Sequence, residues 1–237
     1  MRGPYGFDLN ESCQDFKAGN DGFFRQMSQK AVKDFDAVKS TSAYPEGTVL
    51  FLETQDPRGI FVLAAGEVKL SISSREGKTL ILHIAKPGEI LGLMAVLSGK
   101  PYEVTAETVR PCQIAFVRRD DFRRFLAEHP EVLPALTRQL TSTYQAACTQ
   151  LRTIGLSATA EERLARLLLE WCEGAEQTKV GTRVKVPLTH EEIAECIGST
   201  RETVTRTLSQ FKHRNLITAM GSTLVIANRV ALENIAA

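Results

Sequence analysis

Between Gly198 and Arg206 the chain sets Arg201, Glu202 and Arg206 within about one and a half turns of a prospective helix. Arginine carries a planar fork of donors that matches guanine O6 and N7, and glutamate accepts from cytosine N4. Three such side chains on one side of a helix suit the edges of a G·C-containing duplex. Thr189, His190, Ser199 and Thr203 lie close by in sequence and could meet phosphates, contacts that fix register rather than sequence. From Ser199 to Ile217, Arg201, Arg206, Lys212 and Arg214 stand against Glu202 alone, while the whole chain carries a formal charge of only +1. A nucleic-acid binder needs a basic contact face, not a basic chain.

The residues around these side chains read as two short helices joined by a tight turn. Thr189 sits three residues before Glu192 and Ser199 three before Glu202, each with the spacing of a capping box. Gly198 suits a turn position needing φ > 0. Ala194 allows a close helix crossing, and Ile193, Ile197, Val204, Leu208 and Phe211 supply apolar faces. An ordinary helical hairpin with a solvated charged face would explain one box; two boxes around a glycine turn point to a helix-turn-helix. Downstream, Leu216–Ala219 and Thr223–Ile226, joined through Gly221-Ser222, read as a hairpin wing, and Asn228 caps a last helix. Upstream, Thr159 caps a helix with Leu164, Leu167, Leu168 and Trp171 as its core face. Glu173–Thr178 reads as a polar loop and Val184–Val186 as a strand.

Residues 1–21 read as a loose arm, and Phe23, Phe24, Met27, Ala31, Val32 and Phe35 recur at helical spacing. From Tyr44 to Val117 β-rich runs alternate with breakers: Val49–Leu52, Ile60–Leu63, Val68–Ile72, Leu80–Ile84 and Gln113–Val117, with Gly66, Gly77 and Gly88 at intervals of eleven. That pattern predicts a small antiparallel roll enclosing a pocket. Phe122, Phe125 and Leu126 mark a short helix, and Pro130 starts another. Leu133, Leu140, Ala147 and Ile154 then recur every seven residues, with Thr137, Tyr144 and Leu151 four residues after the first three. This heptad seam suits two parallel helices and makes Leu133, Leu140, Tyr144, Ala147, Leu151 and Ile154 the expected dimer interface, on a rod of roughly 37 Å. A helix laid against its own roll is the other reading, and both can hold. Gly155–Ala158 is the expected hinge. The fold class is α+β: an arm over 1–21, a β-roll over 22–130, a dimerisation helix over 131–155 and a winged helix-turn-helix over 156–237.

With 237 residues, 43% apolar and 24% charged, the chain is globular. Cys13, Cys112, Cys148, Cys172 and Cys196 are scattered without a C-x-x-C pair, and the first twenty residues hold no apolar signal core, so a reducing, cytoplasmic setting is expected. No run reaches the roughly 18 apolar residues of a membrane span. A cupin-like metal enzyme would need two or three histidines converging in the roll, and between Tyr44 and Val117 His83 stands alone. His83 is also the one candidate haem ligand there, and Cys112 or Cys148 the candidates for thiol sensing. The lone Cys13 before the roll does not make an iron–sulfur cluster. The expectation is no catalysis, no metal and no cofactor.

Taken together, the chain resembles the Crp/Fnr superfamily of bacterial transcription factors from about Phe23 onward. The most specific stretch, Gly198-Ser199-Thr200-Arg201-Glu202-Thr203-Val204-Thr205-Arg206, is similar to the recognition segment of the cyclic-AMP receptor branch. There Arg201, Glu202 and Arg206 match the three readers of a TGTGA-type half-site. The resemblance implies a homodimer whose partners are double-stranded DNA and RNA polymerase. It also places the effector pocket at Leu93, Tyr102, Glu103, Ala147 and Cys148. Gly92-Leu93-Met94 stands where cyclic-AMP binders carry Gly-Glu-Leu, Tyr102-Glu103 stands at their Arg-Ser, and Ala147-Cys148 at their Thr-Ser. A carboxylate facing a phosphodiester is repulsive. The expected effector is therefore something other than cyclic AMP, or none, with the protein constitutively active.

Overall fold

The computed structural model describes Tyr5, Phe24 and residues 27–157, 159–186, 188–220 and 223–236. The arm, apart from Tyr5, Phe23, Ala158 of the expected hinge and the Gly221-Ser222 turn lie outside the described residues. The chain divides into two compact units, residues 1–77 with 82–146, and residues 78–81 with 147–237.

The first unit is a roll of two four-stranded antiparallel sheets. One orders β1 (Lys39–Tyr44), β8 (Cys112–Arg118), β3 (Gly59–Ala65) and β6 (Ile90–Leu91); the other β2 (Val49–Phe51), β7 (Thr105–Thr108), β4 (Val68–Ser73) and β5 (Thr79–Ala85). Side chains alternate across a strand, and β3 uses both of its faces. Phe61 and Leu63 enter a cluster shared by the two sheets, with Phe51, Val68, Ala106 and Ile114. Ile60, Val62 and Ala64 point the other way, into a cluster capped by helices. This two-sided burial explains why β3 reads in sequence as an unbroken apolar run.

The helix-side cluster takes Phe35 from α1 (Gln29–Val38), Leu93 and Val96 from α2 (Leu93–Ser98), and Phe122 and Phe125 from α3 (Arg119–Glu128). It also takes Ala135 and Leu136 from the start of α4 (Leu133–Leu156). Ser28 caps α1 by accepting from the Ala31 N–H at 3.1 Å. A 3₁₀ turn over Pro130–Val132 leads into α4, so the long helix begins at Leu133. It continues through Gly155 to Leu156, past the expected breakpoint. Gln139 pins it to the roll: its amide donates to Ile90 O at 2.8 Å and accepts from Ile90 N at 3.2 Å.

The second unit carries α5 (Ala160–Trp171), α6 (His190–Ile197), α7 (Arg201–His213) and α8 (Arg229–Ala236). Its antiparallel sheet orders β11 (Ile217–Met220), β12 (Thr223–Ile226), β10 (Gly181–Lys185) and β9 (Glu176–Thr178). The stretch expected as a polar loop thus contains β9, paired with β10 from Gly181↔Thr178 to Arg183↔Glu176. Thr159 caps α5, accepting from Glu162 N at 3.1 Å, and Asn228 caps α8, accepting from Ala231 N at 3.0 Å. Leu164, Leu168, Ile193, Ile197, Phe211 and Leu232 are fully or nearly fully buried, which fixes the helices by their apolar faces. Among the described residues no helix is long and apolar enough to cross a membrane.

Candidate nucleic-acid interface

The turn between α6 and α7 decides which side chains are presented. At the start of α6 the capping box is complete: Thr189 Oγ1 accepts from Glu192 N at 3.2 Å, and Glu192 Oε2 accepts from Thr189 N at 2.9 Å. The helix ends at Gly198 in the left-handed region, φ +58°. The N–H groups of Gly198 and Ser199 both donate to Ala194 O, the latter at 2.9 Å, satisfying an orphan carbonyl.

That closure corrects the second expected capping box. With its backbone N–H spent on α6, Ser199 belongs to the turn, and Thr200 is the N-cap of α7. Thr200 Oγ1 accepts from Thr203 N at 3.3 Å. Glu202 therefore lies in the first turn as a charge suited to the helix dipole, not as the partner of Ser199. Its own backbone N–H, then the Thr200 side chain, hold its carboxyl below the usual carboxylate range, with Arg201 adding to the effect. Glu202 is thus a pure acceptor, as a contact to cytosine N4 requires.

Val204, Thr207, Leu208 and Phe211 bury one side of α7. Arg201, Glu202 and Arg206 are exposed on the other and line one open groove. The geometry therefore brings the three expected base readers together. Thr205, Ser209, Gln210 and His213 line the same groove. Sequence reasoning passed over them because none is charged in the way a reader usually is. Their signal was positional, since Thr205 and Ser209 follow Arg201 at helical intervals, and Gln210 and His213 follow Arg206.

The residues expected at phosphates border this face. Thr189 and Thr203 are tied into caps, and Ser199 is half-buried in the turn. His190 is exposed, with Nδ1 2.9 Å from Thr205 Oγ1. One expected cation is drawn elsewhere: Arg214 Nη1 contacts Glu161 Oε1 of α5 at 2.7 Å. The free positive charge of the face rests correspondingly more on Arg201, Arg206 and Lys212.

On α4, Leu133 is 45% exposed, Tyr144 71% and Leu151 72%, whereas Leu140, Ala147 and Ile154 are half-buried. Leu140 leans on the helix-side cluster of the roll, and Ile154 lies beside Gly198 at the end of α6.

The residues expected to form an effector pocket are dispersed in their environments. Leu93 belongs to the helix-side cluster and Tyr102 to the cluster between the sheets; Glu103 is exposed, and Ala147 and Cys148 are half-buried on α4. The Tyr102 ring stacks on Phe51 at 4.0 Å, and its Oη donates to Gly59 O at 2.7 Å. Burial pushes the Cys112 thiol up to about 11, so it is no thiolate at neutral pH and not the reactive sulfur a thiol sensor needs. His83 Nε2 contacts Glu89 Oε2 at 2.8 Å, a satisfied strand-edge pair rather than a vacant ligand.

A cyclic nucleotide-binding domain model matches residues 41–129, and a Crp-like helix-turn-helix domain model matches residues 162–235. The CRP-like cAMP-activated global transcriptional regulator of Mycobacterium tuberculosis is 26% identical over 208 residues, 87% of this chain and 92% of that relative. The cAMP-activated global transcriptional regulator CRP of Haemophilus influenzae is 27% identical over 184 residues, 77% of this chain and 82% of that one. Among solved structures, FixK2 from Bradyrhizobium japonicum superposes with a TM-score of 0.74 at 23% identity, covering 84% of this chain and 98% of its own. A CooA mutant from Carboxydothermus hydrogenoformans gives 0.76 at 18% identity, covering 94% and 99%. With a roll, a long helix and a winged helix-turn-helix in this order, the chain belongs to the Crp/Fnr superfamily and is a CRP-family transcriptional regulator with a helix-turn-helix DNA-binding domain.

Proposed function

We propose that two copies of this chain pair along α4 in the cytoplasm and read a pseudo-palindromic duplex with TGTGA-like half-sites. The observation that carries the reading is the presentation of Arg201, Glu202 and Arg206 together on the open face of α7, above a turn closed by Gly198. Arg201 and Arg206 donate to guanine O6 and N7, and Glu202 accepts from cytosine N4. Thr189, His190, Ser199 and Thr203 hold register on the phosphates. Two such faces about 34 Å apart enter successive major grooves, and the bound dimer contacts RNA polymerase.

Two of the relatives are named as cAMP-activated. In this chain the residues at the corresponding positions do not suit a cyclic phosphate. Tyr102 is buried and spends its hydroxyl on Gly59 O, and Glu103 adds a negative charge. The regulator accordingly answers to an effector other than cyclic AMP, or works without one.

Selection of bound sequences from a random duplex pool tests this. A TGTGA-like inverted repeat should emerge without cyclic AMP and be unchanged when it is added. Arg201→Ala should cost about 1–3 kcal/mol on that site and relax one base pair. Equal weakening on every sequence would remove Arg201 from the readers.

A further inference from the structure

Thr205 stands on the exposed face of α7, between Arg201 and Ser209 and next to Arg206, and lines the groove these residues share. A threonine inside a helix commonly donates its hydroxyl proton to the carbonyl four residues back. In α4, Thr137, Thr141 and Thr143 do so, at 2.9, 2.9 and 3.0 Å. Thr205 instead reaches across to the other helix of the motif, where its Oγ1 lies 2.9 Å from Nδ1 of His190, the first residue of α6.

The direction of that bond is a matter of proton count. A hydroxyl has one proton and two lone pairs, and a neutral imidazole donates from one nitrogen and accepts at the other. With the ring proton on Nε2, Nδ1 accepts from Thr205, and the remaining lone pairs of Oγ1 turn to the groove. With the proton on Nδ1 the polarity reverses, and Thr205 presents its O–H to the groove. A phosphate oxygen at Nε2 selects the first arrangement, since only an N–H can donate to it.

We infer that His190 is a positioning residue for base reading: its Nε2–H on a phosphate fixes Nδ1 as an acceptor, and this sets Thr205 Oγ1 as an acceptor that selects a base bearing an amino group. Adenine N6 and cytosine N4 are the amino donors exposed in the major groove. His190 thereby couples a contact to the DNA backbone with the preference at one base pair. The inference rests on the duplex-reading proposal above and adds Thr205 to its three readers.

The experiment is the same pool selection with full-length protein, comparing preferences base pair by base pair. Thr205→Val removes the hydroxyl at nearly constant shape and should lower discrimination about fivefold at one position only, the magnitude of a single hydrogen bond. Thr205→Ser should restore it. His190→Ala should weaken binding to every duplex and relax that same position, and the double variant should relax it no further. Both residues are exposed, so thermal melts of these variants should match the parent. The inference is overturned if Thr205→Val leaves every position unchanged, or if His190→Ala leaves the position as in the parent. A parent protein that selects no sequence at all defeats the duplex-reading proposal instead. Arg201→Ala relaxing its own position while Thr205→Val stays silent defeats only the present inference.

Discussion

Tyr102 and Gly92 show how single residues have committed the roll to its own interior. Gly92 sits at φ +73°, and a Cβ there would stand 2.6 Å from Tyr102 Cε1. The glycine is the space the tyrosine ring needs. Tyr102→Phe keeps the stack on Phe51 but leaves Gly59 O without its hydroxyl donor. Urea denaturation should register a loss of about 1–2 kcal/mol. Gly92→Ala should cost at least as much, since strain at positive φ adds to the clash.

A second residue-scale effect lies at the foot of α4. The carboxyl of Glu131 is held below the usual carboxylate range by its own backbone N–H first, then by the Ser28 hydroxyl at 3.0 Å and by His129. A depressed folded-state value means that the contribution is present above the ordinary glutamate range near pH ~4.3 and is lost as pH falls through the folded-state value. Glu131→Gln should therefore flatten the acid limb of a melting-temperature profile below about pH 4.5 and leave its neutral region nearly level. An unchanged acid limb would show that Glu131 contributes nothing to it.

At the scale of elements, the corrected cap of α7 gives a direct comparison. Thr200→Ala removes the side chain that accepts from Thr203 N and should cost about 1 kcal/mol, with a frayed first turn that loosens Arg201 and Glu202. Ser199→Ala should cost clearly less, because the turn uses the Ser199 backbone rather than its side chain to close α6. The reverse order in paired denaturation curves would return the cap to Ser199. The same correction shows what was legible in the sequence. The strands β2, β3, β4, β5 and β8, the wing and the two motif helices all carry apolar runs or apolar periodicity and were readable from them. The missed strands have little or none. Lys39-Ser40-Thr41-Ser42-Ala43-Tyr44 and Glu176-Gln177-Thr178 are polar edge strands, Ile90-Leu91 is an edge of two residues, and Thr105-Ala106-Glu107-Thr108 is mostly polar although it lies between β2 and β4. Their partners dictate them through backbone pairing, which leaves no mark in composition. Arg201, Glu202 and Arg206, the three proposed readers, stood out in the sequence because arginine and glutamate announce themselves at fixed spacing, and the structure puts them on one exposed face. Thr205 was not, because its role depends on a hydroxyl reaching His190 fifteen residues away.

At the scale of the whole molecule, the proposal turns on what α4 does with its outward face. A 24-residue helix carrying Leu133, Tyr144, Leu151 and Leu156 at 45–81% exposure leaves apolar surface that a second copy would cover. The seam keeps its seven-residue interval while its half-buried members, Leu140 and Ile154, lean on the chain's own core and on the end of α6. One helix can thus serve both packing and pairing. Burying a leucine side chain contributes about 1.5–3 kcal/mol, so placing charges at two exposed seam positions removes several kcal/mol of pairing and adds like-charge repulsion. Tyr144→Asp with Leu151→Asp should shift the protein from dimer to monomer in sedimentation equilibrium. Both residues are more than two-thirds exposed in the single chain, so its fold should be untouched, and far-UV circular dichroism should superpose on the parent. The effect on DNA follows from linkage of two sites. A paired regulator binds its second half-site at a high effective concentration, and loss of pairing forfeits roughly 10²–10⁴ in affinity for the inverted repeat while binding to a single half-site barely changes. A variant that stays dimeric, or that becomes monomeric yet holds the inverted repeat as tightly as the parent, would sever the seam from the reading of the duplex.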